Sequence, residues 1–229
     1  MSSLVKINFI GKEKAAGRVF ETTIAEEARK AGIFDEKKNY GPETILLGGK
    51  EIINGLDEAL QKMKKGEEQT IHLMPENAFG ARNSELIAMV PLKEFKQRNV
   101  KPMPGLVVDI NDRLGKVQSV SGGRVRVDFN HDLAGKEVEY WVKLEEIIEG
   151  KEKIADALIE RMLPFIDKNK RKIEFKENEI MIELPVLGSG KIMARIALLK
   201  PALARQLAEA IGIESVKFIE FFKKQEKKK

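Results

Sequence analysis

The chain has 229 residues, of which 42% are hydrophobic and 34% charged, a balance typical of a folded protein rather than a disordered one. It contains no cysteine and only two histidines, which excludes disulfides, thiolate metal sites and cysteine nucleophiles and argues against a histidine-built zinc site. The net charge is +5, and the last seven residues hold five lysines and one glutamate. Because the rest of the chain is almost neutral, we expect no nucleic-acid binding and interpret the tail as solubilising.

The apolar runs are too short for a membrane protein. The longest, such as Ile45–Leu47 and Ile196–Leu199, fall far below the roughly 20 residues of a membrane-spanning helix. The opening residues, MSSLVKINFIG, enter a strand-like pattern without the apolar block of a signal peptide. We therefore expect no membrane association and a cytoplasmic location.

The first third of the chain alternates between strand and helix patterns. Val5, Ile7 and Phe9 fall on one side of an extended segment, whereas alanines recur at helical spacing in IAEEARKAG. In chain order we expect a strand over 4–10, a helix over 24–32, an apolar run at Ile45–Leu47, a helix over 56–66 that stops at Gly66, and a strand over 67–75.

Residues 85–130 are rich in strand patterns. A short helical pattern covers 91–97, and Gly122-Gly123 provides a hairpin turn. We therefore expect a compact all-β unit there. The predicted strands are 106–110, 116–120 and 124–129, followed by 136–144 with Val138, Tyr140, Val142 and Leu144 on one side.

A charged segment near residue 150, EEIIEGKEK, indicates a further domain boundary. Beyond it we predict an amphipathic helix over 154–165, strands over 172–176 and 179–185, and a helix that begins at Pro201 and ends at Gly212. Residues 216–222 fit strand and helix equally poorly.

The usual catalytic motifs are missing. The sequence has no phosphate-binding loop, dinucleotide fingerprint, nucleophile elbow or HExxH helix. Gly48-Gly49-Lys50 lacks the spacing that a phosphate loop requires. Composition and periodicity alone therefore predict a β-rich protein of several units.

Three longer strings identify a family. NFIGKEKAAGRVFETT (8–23), LLGGKEIINGLDEALQKMKKGEEQTIHLMPENAFG (46–80) and VDFNHDLAGKEVEYWVKL (127–144) resemble, in order, the FKBP-type peptidyl-prolyl isomerases. FNHDLAGK, some fifty residues after AFG, resembles the SlyD branch, in which a second domain is inserted in the flap. The appended 151–229 and the extra helix over 24–32 are similar to the long archaeal members.

This resemblance implies an α+β fold, in which a half-wrapped antiparallel β-sheet surrounds a short helix. A small β-rich domain is inserted, and a C-terminal α+β domain follows. The implied domains are 1–84 for the first part of the isomerase domain, 85–129 for the insert-in-flap chaperone domain, 130–150 for the closing strand, and 151–229 for the C-terminal domain with its basic tail.

The resemblance also implies a cofactor-free, metal-free prolyl pocket. In the family, the backbone N–H at the position of Ile53 holds a substrate carbonyl, and aromatic side chains grip the proline ring. By motif position the pocket residues are Phe9, Phe20, Glu21, Ile52, Ile53, Leu56, Phe79 and Tyr140. On burial preference alone, most of the apolar ones would be core residues, and only the ordered motifs favour the pocket.

Three of these positions depart from the best-known small members. Leu56 replaces a tryptophan on the pocket floor, Phe79 a tyrosine on the flap side, and Glu21 a buried aspartate. The changes argue against tight binding of macrolide inhibitors. They also leave an alternative to a chaperone-isomerase, namely a non-catalytic module that holds unfolded chains in a degenerate pocket.

The predicted partners are unfolded or nascent proline-containing polypeptides. The insert carries apolar residues that either bind such chains or form the insert's own core: Ile87, Met89, Val90, Leu92, Phe95, Val100 and Met103. Methionine favours binding, since its side chain is flexible and polarisable. For the C-terminal domain, Phe218, Phe221 and Phe222 favour a homodimer over a second client-binding surface.

The two histidines receive no functional role from the sequence. His72 alternates with Ile71 and Leu73, which predicts a solvent-facing strand position. His131 follows Asn130 at a strand end, which predicts turn chemistry at the hinge of the insert. We therefore expect that replacing both leaves turnover unchanged.

Overall fold

The computed structural model describes residues 3–49, 51–187 and 189–221. It is a mixed α+β protein made of two compact units, one spanning Met1–Ile10, Glu21–Ile71 and Trp141–Lys229, the other Gly11–Phe20 and His72–Tyr140. None of the helices within the described ranges is long and apolar enough to cross a membrane. The lysine-rich tail and Phe222 lie outside the described residues.

The described elements follow one another along the chain. The strands are β1 (Leu4–Glu13), β2 (Arg18–Thr22), β3 (Glu43–Leu46), β4 (Glu68–Leu73), β5 (Ile87–Pro91), β6 (Val107–Ile110), β7 (Arg113–Ser121), β8 (Arg124–Asp128), β9 (Val138–Ile148), β10 (Lys172–Phe175), β11 (Glu179–Pro185) and β12 (Ser215–Phe221). The α-helices are α1 (Ala25–Lys30), α2 (Asn54–Leu60), α3 (Leu92–Gln97), α4 (Lys151–Met162) and α5 (Gly190–Ile211).

The first sheet has the strand order β2-β1-β9-β4, with β3 paired antiparallel to β1. Val5, Ile7 and Phe9 are at most 8% exposed, which confirms the predicted buried side of the first strand. The predicted alternation in β9 is also confirmed, since Val138, Tyr140, Val142 and Leu144 are all buried. That strand extends beyond its predicted end to Ile148.

The helix predicted over 56–66 is shorter in the structure. α2 ends at Leu60, and the chain continues in tighter turns, with the Met63 N–H donating to the Leu60 carbonyl at 3.2 Å. Gly66 has a φ of 81°, and its N–H donates to the Leu144 carbonyl at 2.7 Å. Gly66 therefore lies in the turn that leads into β4, and it does not cap α2.

The insert contains a four-stranded antiparallel sheet in the order β5-β8-β7-β6, together with α3. The Gly122-Gly123 hairpin is confirmed, because both residues have positive φ, 56° and 74°, as such a two-residue turn requires. β5 was not predicted. It is an edge strand that ends in Pro91, and an edge tolerates a proline that a central strand would exclude.

The C-terminal elements contain a three-stranded sheet in the order β10-β11-β12, packed with α4 and α5. The predicted strands are confirmed, and the undecided segment forms β12, which pairs parallel to β11. Leu4, Leu46 and Ile148 belong to the same buried apolar cluster as these C-terminal elements. The C-terminal domain and β1 and β3 thus share one core.

The predicted start of the last helix was wrong. α5 begins at Gly190 and continues through Pro201, although a proline in a helix interior costs about 3 kcal/mol. Ile196, Leu203 and Leu207 lie on one helical face and are at most 1% exposed. Burial of this face on both sides of Pro201 offsets the cost. The helix does end as predicted, with Gly212 in the left-handed conformation.

Candidate prolyl-binding site

Three of the predicted pocket residues form an aromatic cluster in the second unit. The Phe20 ring lies edge-to-face with the rings of Phe79 and Tyr140, at centroid distances of 5.8 Å and interplanar angles of 82° in both pairs. Tyr140 is buried, whereas Phe20 and Phe79 are half-buried. The three residues come from β2, the turn after β4, and β9. Together the three rings form an apolar cluster.

Gly11 on β1 allows this close packing of rings. A Cβ atom at this position would lie 2.9 Å from the Phe20 ring and 3.0 Å from the Tyr140 ring. The first distance is shorter than carbon–carbon contacts in proteins and the second is unusually tight, so a larger residue would displace the Phe20 ring and press on Tyr140. The requirement for glycine here comes from contact and not from backbone conformation.

His131 joins the cluster, which the sequence did not predict. Its ring stacks on Phe79 with a centroid distance of 4.6 Å and an interplanar angle of 3°. Its Nδ1 accepts a hydrogen bond from the Leu133 N–H at 3.2 Å. The predicted turn chemistry is therefore present, but the same turn places the imidazole against a pocket ring. The only signal for this contact in the sequence is that His131 belongs to the family motif FNHDLAGK.

We expect His131→Ala to lower kcat/KM for a short X-Pro peptide about three- to tenfold, a barrier change of about 1 kcal/mol. The reason is that Phe79 loses the ring that fixes its orientation. This expectation replaces the prediction from the sequence that turnover is unchanged when both histidines are substituted. Exchange NMR on the peptide measures the rate.

His72→Ala is the matched control. His72 is exposed on β4, as predicted, and pairs only with the Glu139 carboxylate, at 3.3 Å, among the contacts described. Equal losses in the two variants would contradict a specific role for His131.

The other five predicted pocket residues lie in the first unit. Phe9 and Leu56 are buried, and Glu21, Ile52 and Ile53 are half-buried. Two threonine hydroxyls hold the backbone of Phe9: its N–H donates to Thr23 Oγ1 at 2.9 Å, and Thr22 Oγ1 donates to its carbonyl at 2.8 Å. Ile53 immediately precedes α2 in an extended conformation. Their association with the aromatic cluster stays a prediction.

A polar clasp lies where the insert leaves the flap. Arg82 pairs with Asp128, and Asn83 and Asn130 bond each other, the Asn83 N–H to Asn130 Oδ1 at 2.9 Å and Asn130 Nδ2 to the Asn83 carbonyl at 2.8 Å. Gln118 also donates to Asp128 at 2.9 Å. Burial alone would raise the Asp128 pKa, but the Asn130 hydrogen bonds, the Arg82 charge and the Gln118 bond outweigh it and lower the pKa. The clasp therefore links the segment that enters the insert to the segment that leaves it.

The predicted client-binding residues divide between core and surface. Val90 and Phe95 are buried in the insert core, with Leu92 and Val100 packed against it, whereas Ile87 is half-buried. Met89 and Met103 are each 54% exposed. The insert also has a groove of about 390 Å³ that includes Val100, Leu106, Val107 and Ile110 among its lining residues.

The described side chains contain no cluster of three or more histidines and carboxylates that could hold a metal ion.

Comparisons with known proteins show which families the chain resembles. Residues 2–93 match the family FKBP-type peptidyl-prolyl cis-trans isomerase, residues 88–133 match the FKBP26 IF domain, and residues 151–223 match the FKBP26 C-terminal family. The chain is 32% identical to the short-type peptidyl-prolyl cis-trans isomerase of Methanocaldococcus jannaschii over 143 residues, 62% of this chain and 90% of that protein.

Two bacterial relatives extend the comparison. A probable FKBP-type 16 kDa peptidyl-prolyl cis-trans isomerase of Pseudomonas fluorescens is 30% identical over 59% of this chain and 93% of its own length. The SlyD isomerase of Helicobacter pylori is 29% identical over 53% of this chain and 69% of its own length. Because the chain is at least 30% identical to two of these isomerases and covers 90% or more of each, it belongs to the FKBP-type peptidyl-prolyl cis-trans isomerases.

Proposed function

We propose that this isomerase accelerates X-Pro bond rotation in unfolded or partly folded proteins, and that the proline ring binds against Phe20, Phe79 and Tyr140. The observation that carries the proposal is the edge-to-face arrangement of Phe20 with both other rings. It provides a preformed apolar surface that needs little reorganisation when a proline ring binds. Family membership supports the same reaction.

The reaction requires no nucleophile or metal. Rotation about an amide C–N bond must overcome a barrier of about 18–20 kcal/mol because resonance is lost. An apolar pocket disfavours the dipolar planar amide relative to the less polar twisted state, and a complementary shape selects the twisted conformer. In this proposal the Ile53 N–H holds the substrate carbonyl while the rings hold the proline.

The alternative function is a non-catalytic module that only holds clients. The substitutions at Leu56, Phe79 and Glu21 are what supports it. Family membership favours catalysis, and Phe79 keeps its ring in contact with Phe20 although it lacks a hydroxyl group.

A direct assay decides between the two. Exchange NMR on an X-Pro tetrapeptide gives the cis–trans rate without a coupled protease. Catalysis predicts a rate that rises in proportion to protein concentration. A rate equal to that of the free peptide, with binding still detectable by chemical shift, would establish the holding function instead.

We further propose that the insert captures extended apolar segments of clients. Its surface is unusually apolar: Met89 and Met103 are 54% exposed, Val107 is 59% and Leu114 is 70%. Val107 lines the groove, whereas Leu114 does not belong to its lining. Clients of this kind need a surface that accepts many side chains, which exposed methionines provide.

We expect Val107→Ser to weaken suppression of client aggregation about threefold or more, because it removes apolar area from the groove wall. Leu114→Ser is the matched control, since both residues lie in the β6–β7 hairpin and are exposed. Light scattering of an aggregating client measures the effect. If both substitutions weaken suppression equally, general surface hydrophobicity and not the groove captures clients.

A homodimer through the C-terminal domain is also proposed. Leu198, Ile219 and Phe221 are 80%, 41% and 56% exposed, which leaves apolar surface on α5 and β12 to be covered. Phe218 packs against the core instead. Sedimentation velocity of the full chain tests the proposal, and a single monomeric species at micromolar concentration would contradict it.

A further inference from the structure

The carboxylate of Glu51 is the centre of a hydrogen-bonded network that reaches into the C-terminal domain. Glu51 lies between β3 and α2, and its Oε2 accepts the Leu46 N–H at 3.1 Å. Arg161 of α4 donates to both of its oxygens at 2.7 Å, and Gln206 of α5 donates to Oε1 at 3.0 Å. Such a bidentate arginine–carboxylate pair fixes the orientation of the two side chains as well as the distance between them.

Arg161 extends the network on its other side. It donates to the Thr44 carbonyl of β3 at 3.2 Å and to Gln206 Oε1 at 3.0 Å. The Arg161 and Glu51 side chains are only 24% and 21% exposed, so solvent screens their attraction less than at an open surface. Burial alone would raise the Glu51 pKa, but hydrogen bonds from Arg161 and the Leu46 N–H outweigh it and hold the pKa below its usual range.

Apolar packing holds the same junction. Leu46, the last residue of β3, is 2% exposed and lies in one buried cluster with Leu158 and Ile159 of α4. The strand that precedes Glu51 is therefore anchored against the helix that carries Arg161. Four residues, 47–50, separate this anchored strand end from Glu51, whose side chain bonds to the same helix through Arg161.

We propose that Arg161 is a positioning residue of the isomerase: through Glu51, the C-terminal domain fixes the segment whose Ile53 N–H holds the substrate carbonyl. The inference rests on the proposed function of Ile53. Glu51 is two residues from Ile53 and has its side chain immobilised by three elements, so its release frees the segment at its start. A displacement of about 1 Å at a catalytic contact can lower a rate about a hundredfold.

The test compares Arg161→Gln and Arg161→Lys with Lys200→Gln in the full chain. Lys200 pairs with Glu220 inside the C-terminal domain, so its variant also loses one ion pair but has no described contact with Glu51. For each protein we measure kcat and KM on an X-Pro peptide, the thermal unfolding midpoint, and the Ile53 amide signal in a ¹H–¹⁵N spectrum.

We expect Arg161→Gln to lower kcat/KM about tenfold and to shift or broaden the Ile53 amide signal, with Arg161→Lys intermediate, since one prong of the pair survives. Lys200→Gln should change neither. A purely structural role would lower the unfolding midpoint of both variants while leaving turnover and the Ile53 signal intact, and that result would overturn the proposal.

Two further outcomes are distinguishable. If Arg161→Gln fails to fold, Arg161→Lys and Glu51→Gln decide, and normal turnover in both would overturn the proposal. If the unchanged protein shows no peptide turnover, the proposed function fails, whereas a shifted Ile53 signal in Arg161→Gln would still support positioning of the segment.

Discussion

Replacing residues 85–129 by a short turn should lower catalysis of proline-limited refolding at least about a hundredfold. Turnover of a short X-Pro peptide should stay within about one order of magnitude, a barrier change of about 1.4 kcal/mol. A short peptide reaches the aromatic cluster unaided. In our proposal, an unfolded protein is first captured by the insert, which raises the effective concentration of its prolyl bonds at the pocket.

We expect the remaining protein to tolerate this deletion. The insert has its own buried core of Val90, Phe95, Val108, Val117, Val125 and Val127, and within the described ranges its four strands form a separate sheet. The Asn83–Asn130 hydrogen bonds and the bond from the Gly135 N–H to the Gly80 carbonyl at 2.8 Å remain to close the flap. Arg82 loses Asp128, but its side chain is 47% exposed, so water can replace that partner.

The asymmetry between peptide and protein is what the hypothesis needs. Suppression of aggregation should fall together with refolding catalysis. Equal losses on peptide and protein would mean that the insert only supports the shape of the pocket. No loss on protein would assign client capture to residues 151–229.

Periodicity was sufficient for most elements of this fold. In strands with one buried face, such as β1 and β9, apolar and polar residues alternate regularly enough for the sequence to predict the strand. The C-terminal strands β10 and β11 were predicted for the same reason. Gly122-Gly123 gave the hairpin, because only a turn with positive φ at both positions explains the pair.

The errors arose where tertiary packing overrides a local preference. Pro201 is a strong helix-start signal, yet Ile196 and Leu207 bury one continuous helical face around it. β5 has little alternation of its own and is defined by pairing with β8. Such pairing depends on residues far away in the chain, and a local pattern does not contain it.

The residues of the site divide in the same way, into those that the family motifs identify and those that only tertiary packing brings into contact. Motif position identified Phe20, Phe79 and Tyr140, which the structure brings together. It did not identify Gly11, whose role depends on a close approach to two rings, or Arg161, which lies 110 residues from Glu51. Those contacts become visible only when strands and domains are packed.

The removal of the central ring should have the largest effect on peptide turnover. We expect Phe20→Ala to lower kcat/KM for an X-Pro peptide about a hundredfold, a barrier change of about 2.7 kcal/mol. Phe20 contacts both other rings, so its loss removes one wall and frees Phe79 to change orientation. Exchange NMR gives the rate, and circular dichroism verifies that the fold is retained.

Two further variants separate the position of the rings from their presence. Gly11→Ala keeps every ring but places a methyl group within 3.0 Å of Phe20 and Tyr140, so turnover should fall although no pocket residue is lost. Phe34→Ala is the matched control, because Phe34 also stacks on an aromatic ring, Tyr40, at 5.1 Å, but does not belong to the cluster. Full turnover in Phe20→Ala would show that proline binds elsewhere, and a loss of similar size in Phe34→Ala would show that the effect is not specific to the aromatic cluster. A fall in Phe20→Ala and Gly11→Ala alone would place the reaction at these rings.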